Sequence, residues 1–412
     1  MHILVVCPHF EPDAAPTGEV MTRIVHELVD LGHRVHVVTS LPWYVEHRIE
    51  PGWEGSWVRH EATPWGRITR VHPFPTDKTN IPARALAFGG FTALAALRAL
   101  LSRQRPDVVL AMSPPLTLGL AGWVAARRHR VPFVFNIQDV FPDVAIEVGA
   151  ITSRHVIRAS KWLERFTYRR ADAVTVLSDD LARNVMQKLG PDGDRVHVIP
   201  NFVDTEWIRP LDRDNPYRRE FDLGERTVVM YAGNVGFSQS LDLVLAAAEE
   251  LRARPDVVFV VNGGGSAREP LMAEAARRGL DNVVFVGLQP KTRLPELLAA
   301  ADIHLVPLKA GLAASSVPSK TYSILASGRC LLASVDEGTE VARVVTEAGA
   351  GLAVPPDDRD AFIGGLTSLL DDPARVSACG RSARSYVEQW ASPAAVAGRY
   401  EALFVEVGVS TG

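Results

Sequence analysis

Apolar residues in this chain fall in short unbroken runs, and each run is followed by a stretch in which they recur at helical spacing. Residues 3–7 (ILVVC) predict a first strand. Residues 18–31 predict a helix with Val20, Met21, Ile24, Val25, Leu28 and Val29 on one face. Gly32 ends that helix, and 35–39 predict a second strand. Further strands are expected at 108–111, 133–136, 173–177 and 196–199, each bounded by Pro, Gly, Asp or Ser. The pattern then restarts with strands at 227–232, 257–262, 283–286, 303–307 and 329–334, with helical patterns between them. Strands alternating with helices are the signature of parallel sheets with crossover helices.

The polar segment 204–225, which holds Pro210 and Pro216, divides the two series and is expected to be a linker. The organisation predicted is α/β, with two doubly wound, Rossmann-like halves at 1–203 and 226–390. A final helix in 391–412 is expected to cross back to the first half. Ligands are expected in a cleft where the strand C-terminal ends of the halves face each other.

A length of 412 residues, with 47% hydrophobic and 22% charged residues, suits two soluble globular domains. The net charge of −4 argues against general nucleic-acid binding. Cys7, Cys330 and Cys379 are far apart and form no CxxC pair, so reduced thiols in a cytoplasmic protein are expected. Met1 leads straight into the first strand with no signal peptide, and no apolar run is long enough to span a bilayer. Residues 154–170 carry six Lys or Arg against one Glu, interleaved with Val156, Ile157, Trp162, Leu163, Phe166 and Tyr168. Such a basic amphipathic helix suits either an anionic lipid surface, as at the inner face of a membrane, or packing on a sheet with a solvated outer face.

The run SSVPSKTYSILASGRCLLAS at 315–334 reads as a polar loop, a helix, a glycine stop and a strand. Ser316 suits the N-cap, Pro318 the first turn, and Lys320 stands beside the unpaired N–H groups there. A lysine is unfavourable at that end of the helix dipole, which suggests that an anion such as a diphosphate sits between them. GxGxxG after the first strand, GxxxxGK[ST], HExxH and GxSxG are all absent, so dinucleotide oxidoreductase, P-loop, zincin and nucleophile-elbow chemistries lose support. The D-x-D triplets starting at Asp192, Asp212 and Asp358 lie in turn-like segments unsuited to a metal. The loop YAGNVGFSQSLD offers Gly233 and Gly236 for close backbone approach, with Asn234 and Gln239 as neutral donors. NGGGSARE, starting at Asn262, reads either as an anion nest that includes Gly263 or as a tight turn. FVGLQPK places Gly287 and Leu288 just past a strand, where main-chain groups are able to pair with a nucleobase. PTGEVMTR places Thr17, Gly18 and Glu19 at a helix N-terminus, and FNIQDVFPD places Gln138, Asp139 and Asp143 beyond a strand's C-terminal end.

Taken in order, PTGEVMTRIVHELVDLGHRVHVVTS, NIQDVFPD, ADAVTVLSDDL, VIPNFVDTEWIRP, VVMYAGNVG, FVGLQPKTRLPELLAAADIHLVPL, VPSKTYSILASGRCLLAS and GAGLAVPPDD resemble family 4 of the retaining glycosyltransferases, which have the GT-B fold. Within it the chain is similar to the O-antigen and colanic-acid type enzymes that transfer N-acetylated deoxyhexoses. The resemblance runs from Met1 to about Asp371. It implies metal-independent transfer of a sugar, with retention, from a nucleotide diphosphate to an acceptor hydroxyl. The implied carrier is uridine diphosphate, and the product is a cell-surface polysaccharide or glycoconjugate. No cofactor is implied beyond the nucleotide-sugar co-substrate, and the acceptor is a carbohydrate, lipid-linked or free. The donor belongs mainly to the second half and the acceptor to the first.

Carried over residue by residue, Gln138 and Asp139 match a pair near the reacting sugar and, with Lys320, are the expected catalytic residues. Gly18, Gly233, Asn234, Gln239, Gly263, Gly287, Leu288, Ser315, Ser316, Ser319 and Ser323 are the expected donor-binding set. Glu19 and Asp143 fall on the acceptor side. The family carries two Glu at the positions of Ser315 and Ser323, so Lys320 is expected to compensate for their loss. The alternatives are a GT-B epimerase or phosphorylase, and a non-catalytic nucleotide-sugar-binding protein.

Overall fold

The computed structural model describes residues 1–76, 81–143, 146, 151, 153–311 and 319–410. It divides into two units, Met1–Asn201 with Pro393–Gly412, and Phe202–Ser392.

In unit 1 the chain runs β1 (His2–Val6), α1 (Pro16–Asp30), β2 (Arg34–Ser40), β3 (Val58–Thr63), β4 (Gly66–Val71), α2 (Ile81–Leu100), β5 (Val108–Ser113), α3 (Leu118–His129), β6 (Phe133–Ile137), α4 (Arg154–Arg170), β7 (Ala173–Val176), α5 (Asp179–Leu189) and β8 (Val196–Val198). These strands form one sheet in the order β3-β4-β2-β1-β5-β6-β7-β8, parallel except for the β3–β4 hairpin. Strands β5 and β6 are buried at every residue, which is why they read as continuous apolar runs. Helix α1 starts two residues earlier than predicted because Pro16 takes its first turn, and it buries Gly18, Met21, Ile24, Val25 and Leu28.

The β3–β4 hairpin escaped the sequence reading. Its buried Arg70 pairs with Glu61 at 2.7 Å and donates to the carbonyls of Phe10 and Glu11. The hairpin thereby braces the loop that follows β1.

Unit 2 continues with α6 (Pro216–Glu220), β9 (Thr227–Ala232), α7 (Asp242–Glu250), β10 (Val257–Asn262), α8 (Arg268–Arg277), β11 (Val283–Val286), α9 (Leu294–Ala300), β12 (Ile303–Pro307), α10 (Ser319–Ala326), β13 (Cys330–Ser334), α11 (Glu340–Glu347), β14 (Gly351–Val354), α12 (Arg359–Leu370) and α13 (Pro373–Trp390). Its six strands are all parallel, in the order β11-β10-β9-β12-β13-β14. Strand order reverses between β9 and β12, so the ligand crevice of this sheet belongs at their C-terminal ends. Cys330 and Cys379 are buried free thiols in this unit, as Cys7 is in unit 1.

The segment 204–225 is not a free linker. Tyr217 and Leu223 are fully buried in the core of unit 2. Arg218 pairs with Asp302 at 2.6 Å, and Asn215 caps α6 while donating to the Glu296 carbonyl at 2.9 Å. Its prolines and polar residues read as linker composition, whereas Asn215, Tyr217 and Arg218 each have a specific partner in unit 2. The chain leaves unit 1 after Asn201 and returns at Pro393. The last helix, α14 (Pro393–Ser410), packs against α1, with Glu401 2.9 Å from His33. No helix among the described residues is long and apolar enough to cross a membrane.

Candidate functional site

At the C-terminal ends of β9 and β10, unit 2 holds an open cavity of about 260 Å³. Gly233, Asn262 and Gly263 line it together with Leu288, Gln289 and Lys291 and with Lys320 and Ser323 of α10. Lys320 is half-buried and extends over the ring of Tyr231, with Nζ 4.4 Å from the ring centroid. Its Nζ donates to Gln239 Oε1 at 3.1 Å, and no carboxylate among the described residues pairs with it. Loss of bulk water lowers its pKa from 10.5 to about 8. Beneath it, burial pushes the Tyr231 hydroxyl well up, so it stays protonated and donates to the Asn234 carbonyl at 2.5 Å.

The glycines serve backbone crossing. Gly233 N–H donates to the Asn262 carbonyl at 3.0 Å, and Gly263 N–H to the Val286 carbonyl at 2.9 Å. A Cβ on Gly263 would stand 1.9 Å from the Gly233 carbonyl oxygen, and φ there is +144°. The anion-nest reading of this glycine run is therefore corrected at Gly263, whose amide is engaged in the sheet; the residue lines the cavity as bare backbone. Asn234 does not line the cavity, because its side chain lies against Gly236 and Gly265. Gln239 does not line the cavity either, but accepts from Lys320 Nζ. Gly287 is exposed with open space around it, and Leu288 is 82% exposed. Ser319 is the first residue of α10, while Ser315, Ser316 and Pro318 lie outside the described residues.

Among the polar lining residues, Asn262, Gln289 and Lys291 were missed. Asn262 closes β10, the position nearest the crevice, and its Oδ1 accepts from the buried Tyr217 hydroxyl at 2.9 Å. The supposed linker thus orients a cavity wall.

In unit 1, Gly18 sits in the first turn of α1, where a Cβ would lie 2.9 Å from His9 Cβ, so a close approach of helix and loop requires glycine. No side chain caps that helix, and the exposed Glu19 lies in its first turn. Gln138 is buried; its Nε2 donates to Asn136 Oδ1 at 2.8 Å and its Oε1 accepts from Asn201 at 2.9 Å. Asn136 in turn donates to Tyr400 Oη at 2.8 Å. With its oxygen and one N–H engaged, Gln138 keeps one amide hydrogen for any further partner. Asp139, next to it, is solvent-accessible and makes no hydrogen bond among the described residues, and partial desolvation raises its pKa. Asp143 is not a free acceptor-side group: Lys188 holds it at 2.6 Å and also pairs with the buried Glu164 at 2.6 Å.

No three His, Cys, Asp or Glu side chains gather as metal ligands among the described residues. The D-x-D triplets serve turns and caps: Asp358 Oδ1 accepts from Ala361 N–H at 2.9 Å, and Asp212 Oδ1 from Asp214 N–H at 3.0 Å.

Two family models match in succession, the Glycosyl transferase 4-like domain over residues 17–201 and Glycosyl transferases group 1 over residues 214–386. The putative colanic acid biosynthesis glycosyl transferase WcaI of Escherichia coli is 29% identical over 382 residues, covering 90% of this chain and 92% of WcaI. Among solved structures, sucrose-phosphate synthase from Thermosynechococcus elongatus matches with a TM-score of 0.68 at 18% identity, covering 100% of both chains. HepE of Anabaena, solved in complex with UDP, matches with a TM-score of 0.66 at 15% identity, covering 98% of this chain and 100% of HepE. With its two doubly wound sheets and both models matched in order, the chain belongs to the GT-B glycosyltransferases of family 4.

Proposed function

We propose that this glycosyltransferase moves a hexosyl or N-acetylhexosaminyl group from a uridine diphosphate donor to an acceptor hydroxyl, with retention and without a metal. The observation that carries the reading is Lys320, a desolvated cation without a carboxylate, lining a cavity at the switch point of a parallel sheet. The leaving diphosphate gains negative charge as the glycosidic bond breaks, and a fixed cation in a partly dry site stabilises that charge without reorganising. The UDP complex of HepE supports the choice of nucleotide. Asp139 is assigned to the acceptor side, to orient the hydroxyl while the leaving phosphate assists same-face attack.

The acceptor is a carbohydrate on a lipid carrier, and the setting is polysaccharide synthesis, which WcaI's printed role in colanic acid biosynthesis supports. Helix α4 supports peripheral contact with the inner membrane face, because Trp162 (63% exposed) and Val156 (45%) stand among the exposed Arg158, Lys161 and Arg165.

A thermal-shift screen against nucleotide sugars tests the donor, since binding raises stability by mass action. A UDP-sugar should stabilise the wild type, and Lys320→Ala should lose roughly 10²–10³ of turnover while staying folded. Stabilisation by no nucleotide sugar, or near-wild-type turnover of Lys320→Ala at saturating donor, overturns the reading.

A further inference from the structure

A second cavity, of about 200 Å³, lies in unit 1 at the opposite end of the sheet from Asp139. It is built where parallel strands begin: His2 opens β1, Arg34 opens β2, and Gly66 and Arg67 open β4. Arg103, from the connection between α2 and β5, completes the lining, with His36 behind it.

Its charge is of one sign. Arg67 donates only to His36 Nδ1 at 3.3 Å and to Ser102 Oγ at 3.4 Å, both neutral partners. The side chains of Arg34 and Arg103 have no hydrogen bond or ion pair among the described residues. Nearby, Arg98 Nε is buried without a partner. The contrast with Arg70 on the same strand is direct, because Arg70 has Glu61. Asp107 comes near, accepting the His2 backbone N–H at 2.7 Å, but it does not line the cavity.

The titrating groups feel this field. Burial first, then Arg67, drives the pKa of His36 down to about 3, so the ring stays neutral and accepts from arginine. Burial, then Arg98, Arg67 and Arg103, lowers that of His60. Burial and Arg103 lower that of Arg67 itself. Cations held face to face around a recess repel one another, and an anion between them removes the repulsion. Guanidinium groups in a partly dry recess match phosphate oxygens with paired, charge-assisted hydrogen bonds.

We propose that this basic cavity binds a phosphate-bearing anion, at a site separate from the donor cavity of unit 2. A soluble phosphate ester and a phospholipid headgroup share this chemistry. The inference is independent of the donor assignment.

The test uses full-length Lys320→Ala protein, so that the cation of unit 2 cannot contribute. Inorganic pyrophosphate is titrated by calorimetry at low salt, with and without the added pair Arg67→Gln and Arg103→Gln. The pair should weaken binding about tenfold or more, and Arg67→Lys with Arg103→Lys should restore much of it. In a second arm, vesicles of phosphatidylglycerol are compared with phosphatidylcholine alone. Arginine-dependent pyrophosphate binding identifies a soluble ester, and arginine-dependent vesicle binding without it identifies a headgroup. Arg103 is exposed, so Arg103→Gln alone controls for folding and should melt at or above the parent temperature without ligand. Binding of both probes unchanged by the arginine variants, or no binding of either, overturns the proposal.

Discussion

Replacing Lys320 by methionine separates what this residue costs the empty protein from what it does for a ligand. Methionine keeps the length and the contact over Tyr231 but removes the charge. In the folded protein the ammonium pKa falls from 10.5 to about 8, with desolvation as the cause. At about 1.36 kcal/mol for each tenfold change in proton affinity, the full cost of holding the charge is about 3.4 kcal/mol. Partial solvent access screens it, so about 2 kcal/mol is expected. Without ligand, Lys320→Met should therefore melt higher, by about 4–8 °C for a unit of this size. The pH dependence fixes the sign. Between pH 8 and 10.5 the unfolded chain binds more protons than the folded one, so wild-type stability should rise with pH across that window. Methionine should flatten that rise. Donor binding should move the other way: affinity in the wild type declines above about pH 8 as the charge is lost, and in Lys320→Met it is low at every pH. Denaturant unfolding from pH 7 to 10.5, paired with donor titration, measures both. A variant less stable than wild type that still binds donor normally would refute the argument.

Gly263→Ala should cost about 3 kcal/mol or more, because the new methyl meets the Gly233 carbonyl at 1.9 Å and φ is +144°; a melting curve like the wild type's would contradict this. Tyr217→Phe leaves Asn262 Oδ1 without its donor, which should cost about 1–3 kcal/mol and weaken donor binding; denaturation and donor titration report the two effects. Asp139→Asn should lower turnover about 10²-fold with donor affinity intact. The acid limb of the wild-type pH–rate profile should lie above pH 3.8 and vanish in the variant; persistence of that limb removes Asp139 from the reaction. Wild type should float with anionic vesicles at low salt, and Trp162→Ala with Lys161→Gln should reduce flotation; equal flotation of the two proteins would rule out the α4 face.

What was legible in the chain follows from burial. Strands β1, β5, β6, β9 and β10 are covered on both faces, so their sequences carry little but apolar residues. Strand β3 is half exposed and polar, β4 buries Thr69 and Arg70 between Ile68 and Val71, and β14 is short and half exposed. The first two give no continuous apolar run, and the third is only four residues long. Lys320, Gly233, Gly263, Leu288 and Ser323 were readable because loops at strand C-terminal ends converge in a doubly wound sheet. Asn262 and Gln289 were not, since a lone amide at a strand end looks like any turn residue. The engagement of Gln138 and Asp143 rests on Asn201 and Lys188, partners distant in sequence that only the fold brings close.

Unit 1 is assembled from two stretches of chain with all of unit 2 inserted between them. During synthesis on a ribosome, residues 1–201 emerge first, and Asn136 must wait for Tyr400 before the bond between those two side chains can form. Unit 2 is complete by Ser392 and is free to fold ahead of its host. The Tyr400 end of the network around Gln138 is therefore among the last contacts of unit 1 to become available, although Asn136, Gln138 and Asn201 all emerge early.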